Sequence, residues 1–171
     1  WYDEEIPFNM AAEIGTKKVI QEHSTIGLVV TTDGSISSIP REEYEEAEER
    51  VISELKELNK PFVVLLNSVN PEEDSVIQMG SELSEKYNVP VLPVNCLEIT
   101  ESEIKNILGN LLYEFPVESI GFDMPSWFKS LESDDKVRVS VTSSVKSLSA
   151  EIKNIRSVYK FADSLSECED I

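Results

Sequence analysis

Few residues in this sequence could build a metal or nucleophile site: it has two cysteines and one histidine. Cys96 and Cys168 form no C-x-x-C pair, and His23 has no second His or Cys nearby, so a zinc site lacks its partners. A Ser-His-Asp or Cys-His arrangement would have to take His23 as its base. His23 lies in Gln21-Glu22-His23-Ser24 at the expected end of a helical stretch, where a cation is favoured, and it reads as a capping or surface residue. The thiols are expected to be reduced, as in a cytosolic protein. Basic residues are scarce as well, fifteen against thirty-three acidic, for a net charge of −18. A phosphate-tracking surface needs a basic stripe, so nucleic-acid binding is excluded, and adhesion to anionic lipid by charge alone is disfavoured. No apolar run approaches the roughly 20 residues that span a bilayer. The chain starts at Trp1 with neither Met nor a charged-then-apolar leader, and is expected to be a piece of something longer without a signal peptide. Glycine is the last shortage. Six glycines are scattered singly, with no GxxxxGK[ST] and no GxGxxG, so any nucleotide site lacks its phosphate end within these residues.

What is present is enough for a core. The 171 residues are 40% hydrophobic and include two Trp, six Phe and five Tyr, which suits one domain or one domain plus part of another. Asp3-Glu4-Glu5 and Pro7 open a predicted helix carrying Phe8, Ala11, Ala12, Ile14, Val19 and Ile20, with Gly15 as its weak point. Thr25 to Thr32 is a β-branched run stopped by Asp33-Gly34, a strand of the buried, parallel-sheet kind. Arg41 to Leu58 is an acidic amphipathic helix with Tyr44, Ala47, Val51, Ile52, Leu55 and Leu58 on one face; its glutamates read as the solvated face. Phe62 to Leu66 is a second buried strand. Pro71-Glu72-Glu73-Asp74 opens a helix through Tyr87, and Val89 to Val94 is a third strand whose two prolines suggest an edge position or an irregular start. Thr100 and Glu103 form a capping box for a helix from Glu101 to Glu114, with Ile104, Ile107, Leu108, Leu111 and Leu112 facing the core. Strand and helix alternate, so residues 1–115 are expected to be α/β with a parallel sheet covered on both faces.

The character changes at Phe115-Pro116, where a domain boundary is expected, with residues 116–171 an incomplete second domain. Val117 to Phe122 alternates like a half-solvated strand, and Met124-Pro125-Ser126-Trp127 turns into a short helix. From Asp135 the series Val137, Val141, Val145, Leu148, Ile152, Ile155, Tyr159, Ala162 steps by three and four. It predicts one long amphipathic helix with a basic polar face.

Open α/β sheets bind ligands beyond the carboxyl ends of their strands. Three short polar loops lie there: Thr31 to Gly34, Asn67 to Pro71, and Asn95 to Glu98. They could rim a small-ligand site, and they are equally what strand-to-helix turns use.

Trp1-Tyr2-Asp3-Glu4-Glu5-Ile6-Pro7-Phe8, Ala11 to Thr16, Val19 to Gly27 and Thr31-Thr32-Asp33-Gly34 resemble the stage IV sporulation protein A family, the spore-coat morphogenetic ATPases of endospore-forming bacteria. Glu46 to Ile52, Leu83 to Tyr87, Leu112 to Val117 and Pro125-Ser126-Trp127 continue the likeness, which is dense as far as Trp127. The resemblance implies the distal half of a P-loop NTPase sheet related to translation-factor GTPases, followed by the start of an α+β middle domain. It implies ATP and Mg2+ as cofactors of the parent protein. ATP hydrolysis would drive self-assembly into the basement layer of the spore coat, in the mother-cell cytoplasm at the outer forespore membrane. The implied partners are further copies of itself, other spore-coat morphogenetic proteins and a small amphipathic membrane-anchoring peptide. The P-loop, the hydrolysis-linked threonines and the acidic magnesium motif would all precede Trp1. Related GTPases read guanine through Asn-Lys-x-Asp after the strand matching Phe62 to Leu66; here the stretch is Asn67-Ser68-Val69-Asn70. An amide at Asn70 cannot accept two guanine N–H groups as a carboxylate does, and Ser68 replaces the lysine. The resemblance thus makes Asn67, Ser68 and Asn70 the nucleotide-binding candidates, with no guanine preference. A catalytically silent scaffold fragment is the alternative. A third possibility, an unrelated α/β response domain, lacks the aspartate pair it would need.

Overall fold

The computed structural model describes residues 7–166, as two compact units divided between Leu111 and Leu112. In the first unit, helix α1 (Phe8–Lys18) runs through Gly15 without breaking and widens into one π-helical turn, Val19–His23. The turn is closed by the Ser24 hydroxyl donating to the Ile20 carbonyl (2.6 Å) and is moored by Lys60 Nζ on the Ser24 carbonyl (2.6 Å). Three parallel strands follow, β1 (Gly27–Thr32), β2 (Phe62–Asn67) and β3 (Val91–Val94), in the spatial order β1-β2-β3. Helices α2 (Glu42–Glu57), α3 (Asp74–Tyr87) and α4 (Glu101–Tyr113) alternate with them.

The continuous apolar run of β2 is explained by its position. As the central strand it is covered on both faces, and Phe62 to Leu66 are all buried. Phe62, Val64 and Leu66 join Val29 and Val91 against Ile52 and Leu55 of α2 and Val76, Leu83 and Tyr87 of α3. Val63, Leu65 and Val94 face the other way, onto Ile107 and Leu111 of α4. Each such aliphatic side chain contributes about 1.5–3 kcal/mol by leaving water. Gly27 is required where β1 meets β2: a Cβ there would lie 3.0 Å from that of Phe62.

The two edges of the sheet differ. Backbone bonds from Gly27 to the Pro61 carbonyl (2.9 Å) and from Asp33 to the Asn67 carbonyl (3.3 Å) turn the odd-numbered residues of β1 toward β2. The N–H and C=O groups of Leu28, Val30 and Thr32 therefore face outward. On β3, Val64 donates to the Pro90 carbonyl and Ser68 to the Val94 carbonyl (both 2.9 Å), so Pro93 falls at an outward position where it offers no donor. The edge position read from the prolines is thus where β3 lies.

The α4 capping box is formed as expected. Thr100 N–H donates to Glu103 Oε2 (2.7 Å) and Glu103 N–H to Thr100 Oγ1 (3.2 Å). Its apolar face is only half used, because Ile107 and Leu111 are buried while Ile104, Leu108 and Leu112 stay substantially exposed.

In the second unit two expectations are corrected. Residues 117–122 form no strand: only Pro116 bridges, antiparallel, to Asn154. After a short helix α5 (Ser126–Lys129), the expected long helix is two, α6 (Lys136–Ser149) and α7 (Ile155–Ser166). The break has a cause. Asn154 Oδ1 accepts the Ser157 N–H (3.0 Å) and Ser157 Oγ accepts the Asn154 N–H (3.1 Å), a reciprocal cap that starts a new helix. The backbone between the helices is spent on the 115–117 segment: Val117 N–H donates to the Lys153 carbonyl (3.1 Å) and Ile155 N–H to the Phe115 carbonyl (3.0 Å). Glu114 adds side-chain bonds to Asn154 Nδ2 (2.9 Å) and Arg156 Nε (2.6 Å). The apolar series runs across the break, with Ile152 in the connection and Val137 and Tyr159 exposed.

Candidate functional site

The three loops singled out from the sequence meet at the carboxyl end of the sheet and are bonded to one another. Ser35 Oγ accepts the Val69 N–H (3.0 Å), joining the first loop to the second. Asn67 Oδ1 accepts the Cys96 N–H (2.9 Å) and Asn95 Nδ2 donates to the Val69 carbonyl (3.2 Å), joining the second to the third. Within the first loop, Asp33 Oδ1 accepts both the amide (2.8 Å) and the hydroxyl (2.6 Å) of Ser35, and Gly34, at φ +93°, makes the turn a side chain would strain. Burial pushes the Asp33 carboxyl up, but the hydroxyls of Ser35 and Ser68 and the Ser35 amide outweigh it and hold it below its ordinary value. Asp33 is an anion at neutral pH.

The candidates occupy different depths. Asn67 is half-buried; its carbonyl oxygen is committed to Cys96, and its amide N–H2 remains as a donor. Ser68 is only 1% exposed, and its hydroxyl accepts the Asn70 N–H (3.1 Å) and bonds Asp33. It braces the loop from below. Asn70 lies exposed on the rim. Cys96 is exposed, and partial desolvation pushes its thiol up, leaving it a poor nucleophile. His23 ends the π-helical turn on the surface.

One polar group was missed in the sequence because it sits in a run of glutamates. Glu48 is buried, not solvated. Arg41 grips it twice, Nη1 to Oε2 and Nη2 to Oε1 (both 2.7 Å), and also donates to Thr31 Oγ1 (3.0 Å), while the Tyr87 hydroxyl donates to Glu48 Oε1 (2.7 Å). The carboxyl is pushed up by burial but held below its ordinary value by Arg41, Thr31 and Tyr87. Tyr87, buried and facing that carboxylate, is pushed up to about 12. This network pins the start of α2 to β1 and α3, and so fixes the far end of the Asp33 loop. The available signal was spacing: Arg41 and Glu48 are two helical turns apart, on one face.

The sequence comparisons agree with this architecture. Residues 1–116 match the family described as stage IV sporulation protein A, ATPase domain, and residues 117–171 match its middle domain. The chain is 49% identical over 171 residues to stage IV sporulation protein A of Bacillus subtilis (strain 168), covering all of this chain and 35% of that protein. It is 45% identical to the Bacillus anthracis protein, over 171 residues that make up 100% of this chain and 35% of that one. With the Clostridioides difficile (strain 630) protein it shares 45% identity over 169 residues, 99% of this chain and 34% of the relative. The chain thus spans about a third of the length of these relatives. No solved structure matches it significantly. With its ATPase-domain match over a parallel α/β sheet, the chain belongs to the stage IV sporulation protein A family.

Proposed function

We propose that this chain is part of an ATPase that polymerises, driven by ATP hydrolysis, into the basement layer of the spore coat on the forespore surface. The single observation that carries the reading is the match of residues 1–116 to the family's ATPase domain, on a sheet whose carboxyl-end loops are bonded into one rim. The intact protein would work in the mother-cell cytoplasm with further copies of itself, other coat morphogenetic proteins and a small amphipathic membrane-anchoring peptide.

The two ends of ATP fit this chain differently. A purine edge suits the rim: Asn67 has a free amide donor and Asn70 offers both a donor and an acceptor. Ser68 positions that loop from its interior and does not cover the base. The phosphates find no glycine-rich nest in residues 1–171, and among the described residues no cluster of His, Cys, Asp or Glu could hold Mg2+. No hydrolytic step is assigned to these residues. Their part is to hold the base end and to carry the assembly surfaces of the middle domain.

The test is competition of labelled ATP and GTP for the intact protein carrying Asn70→Asp. A carboxylate at the rim should favour guanine, raising the GTP:ATP affinity ratio about tenfold, the equivalent of one good charged hydrogen bond. An unchanged ratio in a folded variant leaves Asn70 a turn residue. Ser68→Lys is a poor companion, since it forces an ammonium into a buried site. ATP-dependent sedimentation of the intact protein tests the assembly half of the proposal. Filaments that form equally without hydrolysable ATP would refute it.

A further inference from the structure

The turn at Asp33 does more than reverse the chain. An Asp-Gly turn after a strand needs one side-chain bond, to the carboxylate from the amide two residues on, and the Ser35 N–H supplies it to Asp33 Oδ1 (2.8 Å). Two further protons reach the same carboxylate. The Ser35 hydroxyl donates to Oδ1 (2.6 Å), and the Ser68 hydroxyl, from inside the second loop, bonds Asp33 as well.

A serine hydroxyl carries one proton and two lone pairs, and an ionised carboxylate can only accept. The protons of Ser35 and Ser68 are both committed to Asp33, so each oxygen is left with acceptor capacity alone. Both spend it on the second loop. Ser35 Oγ takes the Val69 N–H (3.0 Å), 34 residues away in sequence, and Ser68 Oγ takes the Asn70 N–H (3.1 Å). Two successive amides are thus held by one carboxylate through two hydroxyls. Main-chain bonds secure the root of the same loop, with Asp33 N–H on the Asn67 carbonyl (3.3 Å) and Ser68 N–H on the Val94 carbonyl (2.9 Å).

Resting on the reading of Asn67 and Asn70 as the base contacts, we infer that Asp33 is a positioning residue for the base: it fixes which way the Ser35 and Ser68 hydroxyls point, and they fix the backbone that carries Asn70. Asp33 acts through those hydroxyls and not on the base. A loop ordered before its ligand arrives loses less freedom on binding, so the contribution falls in affinity and not in the chemical step. Asparagine at position 33 would keep one oxygen, enough for the turn, and replace the other by an N–H2 that can only donate. The turn then survives, while the direction of the two hydroxyls is no longer dictated.

Steady-state ATP turnover of the intact protein, with a thermal melt of each variant, tests this. Asp33→Asn should raise KM for ATP about tenfold, the loss of one hydrogen bond to a charged group, with kcat within about twofold. Ser35→Ala should do the same, and Ser35→Thr, which returns a hydroxyl, should restore KM. Ser35 is exposed, so its variants do not threaten the fold. The double variant Asp33→Asn, Ser35→Ala should be no worse than the worse single change, because the two residues act in one line. A purely structural role gives a different pattern: earlier melting, a lower kcat from a smaller folded fraction, and KM unmoved. That pattern overturns the inference, as do effects of Asp33 and Ser35 that multiply. An unchanged KM in Ser35→Ala overturns it even where Asp33→Asn fails to fold. Asn67→Ala and Asn70→Ala separate it from the base reading. If they raise KM while Asp33→Asn leaves it alone, this inference falls by itself; if they leave KM alone, the base reading falls and takes the role of Asp33 with it.

Discussion

Replacing Glu48 by Leu should destabilise the protein far more than any other change among the α2 glutamates. The Arg41 side chain is 11% exposed and that of Glu48 2%, and the pair is joined by two short parallel hydrogen bonds. Removing one partner leaves a desolvated charge without its counter-ion, which costs about 3–5 kcal/mol; exposed pairs are worth about 0–1. Arg41 lies at the very start of α2 and can swing partly into water, so the low end applies, about 3 kcal/mol. With a urea slope of about 2 kcal/mol/M, the midpoint should fall by about 1.5 M. Arg41→Leu should cost a similar amount. The double variant should cost clearly less than the sum, with a coupling of about 2 kcal/mol or more, because it leaves no unpaired charge, only the Tyr87 and Thr31 hydroxyls short of a partner. Urea melts of the four proteins by circular dichroism complete the cycle. Single costs below about 1 kcal/mol that simply add would show a surface ion pair and refute the reasoning. The pair also sets an acid limb. The folded pKa of Glu48 lies below its ordinary 4.5, so its stabilisation is present above that value and is lost as pH falls through the lowered one. The double variant should lack that loss.

Tyr87 sets the opposite limb: its hydroxyl rises from 10.0 to about 12, so its contribution is intact below pH 10 and is lost as pH climbs toward 12, by at most ~3 kcal/mol. Tyr87→Phe should flatten the alkaline side of a stability–pH curve, and an unchanged curve would contradict the bond to Glu48. Asn154→Ala removes the cap that divides α6 from α7 and should cost about 1 kcal/mol with little change in helix content; a gain in both stability and helicity would mean that one continuous helix is preferred. Residues 1–171 alone should show no ATP turnover above background, since they contain no phosphate nest. Steady turnover that tracks the purified chain and is lost on changing Asn67 or Asp33 would overturn that.

What could be read directly from the sequence was whatever rests on local pattern. The unbroken run Phe62 to Leu66 has one explanation, a strand covered on both faces, and Thr100 with Glu103 states a helix start by its own chemistry. The failures share a different cause. Glu48 resembles its neighbours until the guanidinium from one side and the phenol from the other are brought to it. The alternation from Val117 to Phe122 satisfies the strand pattern, yet a strand exists only where another offers its ladder, and here only Pro116 finds a partner. The step from Leu148 to Tyr159 keeps helical period because both helices obey it; the break depends on Asn154 and Ser157 capping each other and on Glu114, forty residues away in sequence, holding Asn154. At the rim, the loops were found but their depth was not. Ser68, singled out by its position in a motif, is buried at the foot of its loop.

The proline edge of β3 has a consequence for crowding. Pro93 presses its ring against Gly80 of α3, 3.1 Å from where a Cβ would stand, and leaves Val91 as the one outward donor of that strand. Another sheet sliding alongside would find a single rung to hold. The β3 edge is thereby denied the indiscriminate strand-to-strand pairing that builds amyloid. A contact made along that edge must come from side chains that can tell one orientation from another.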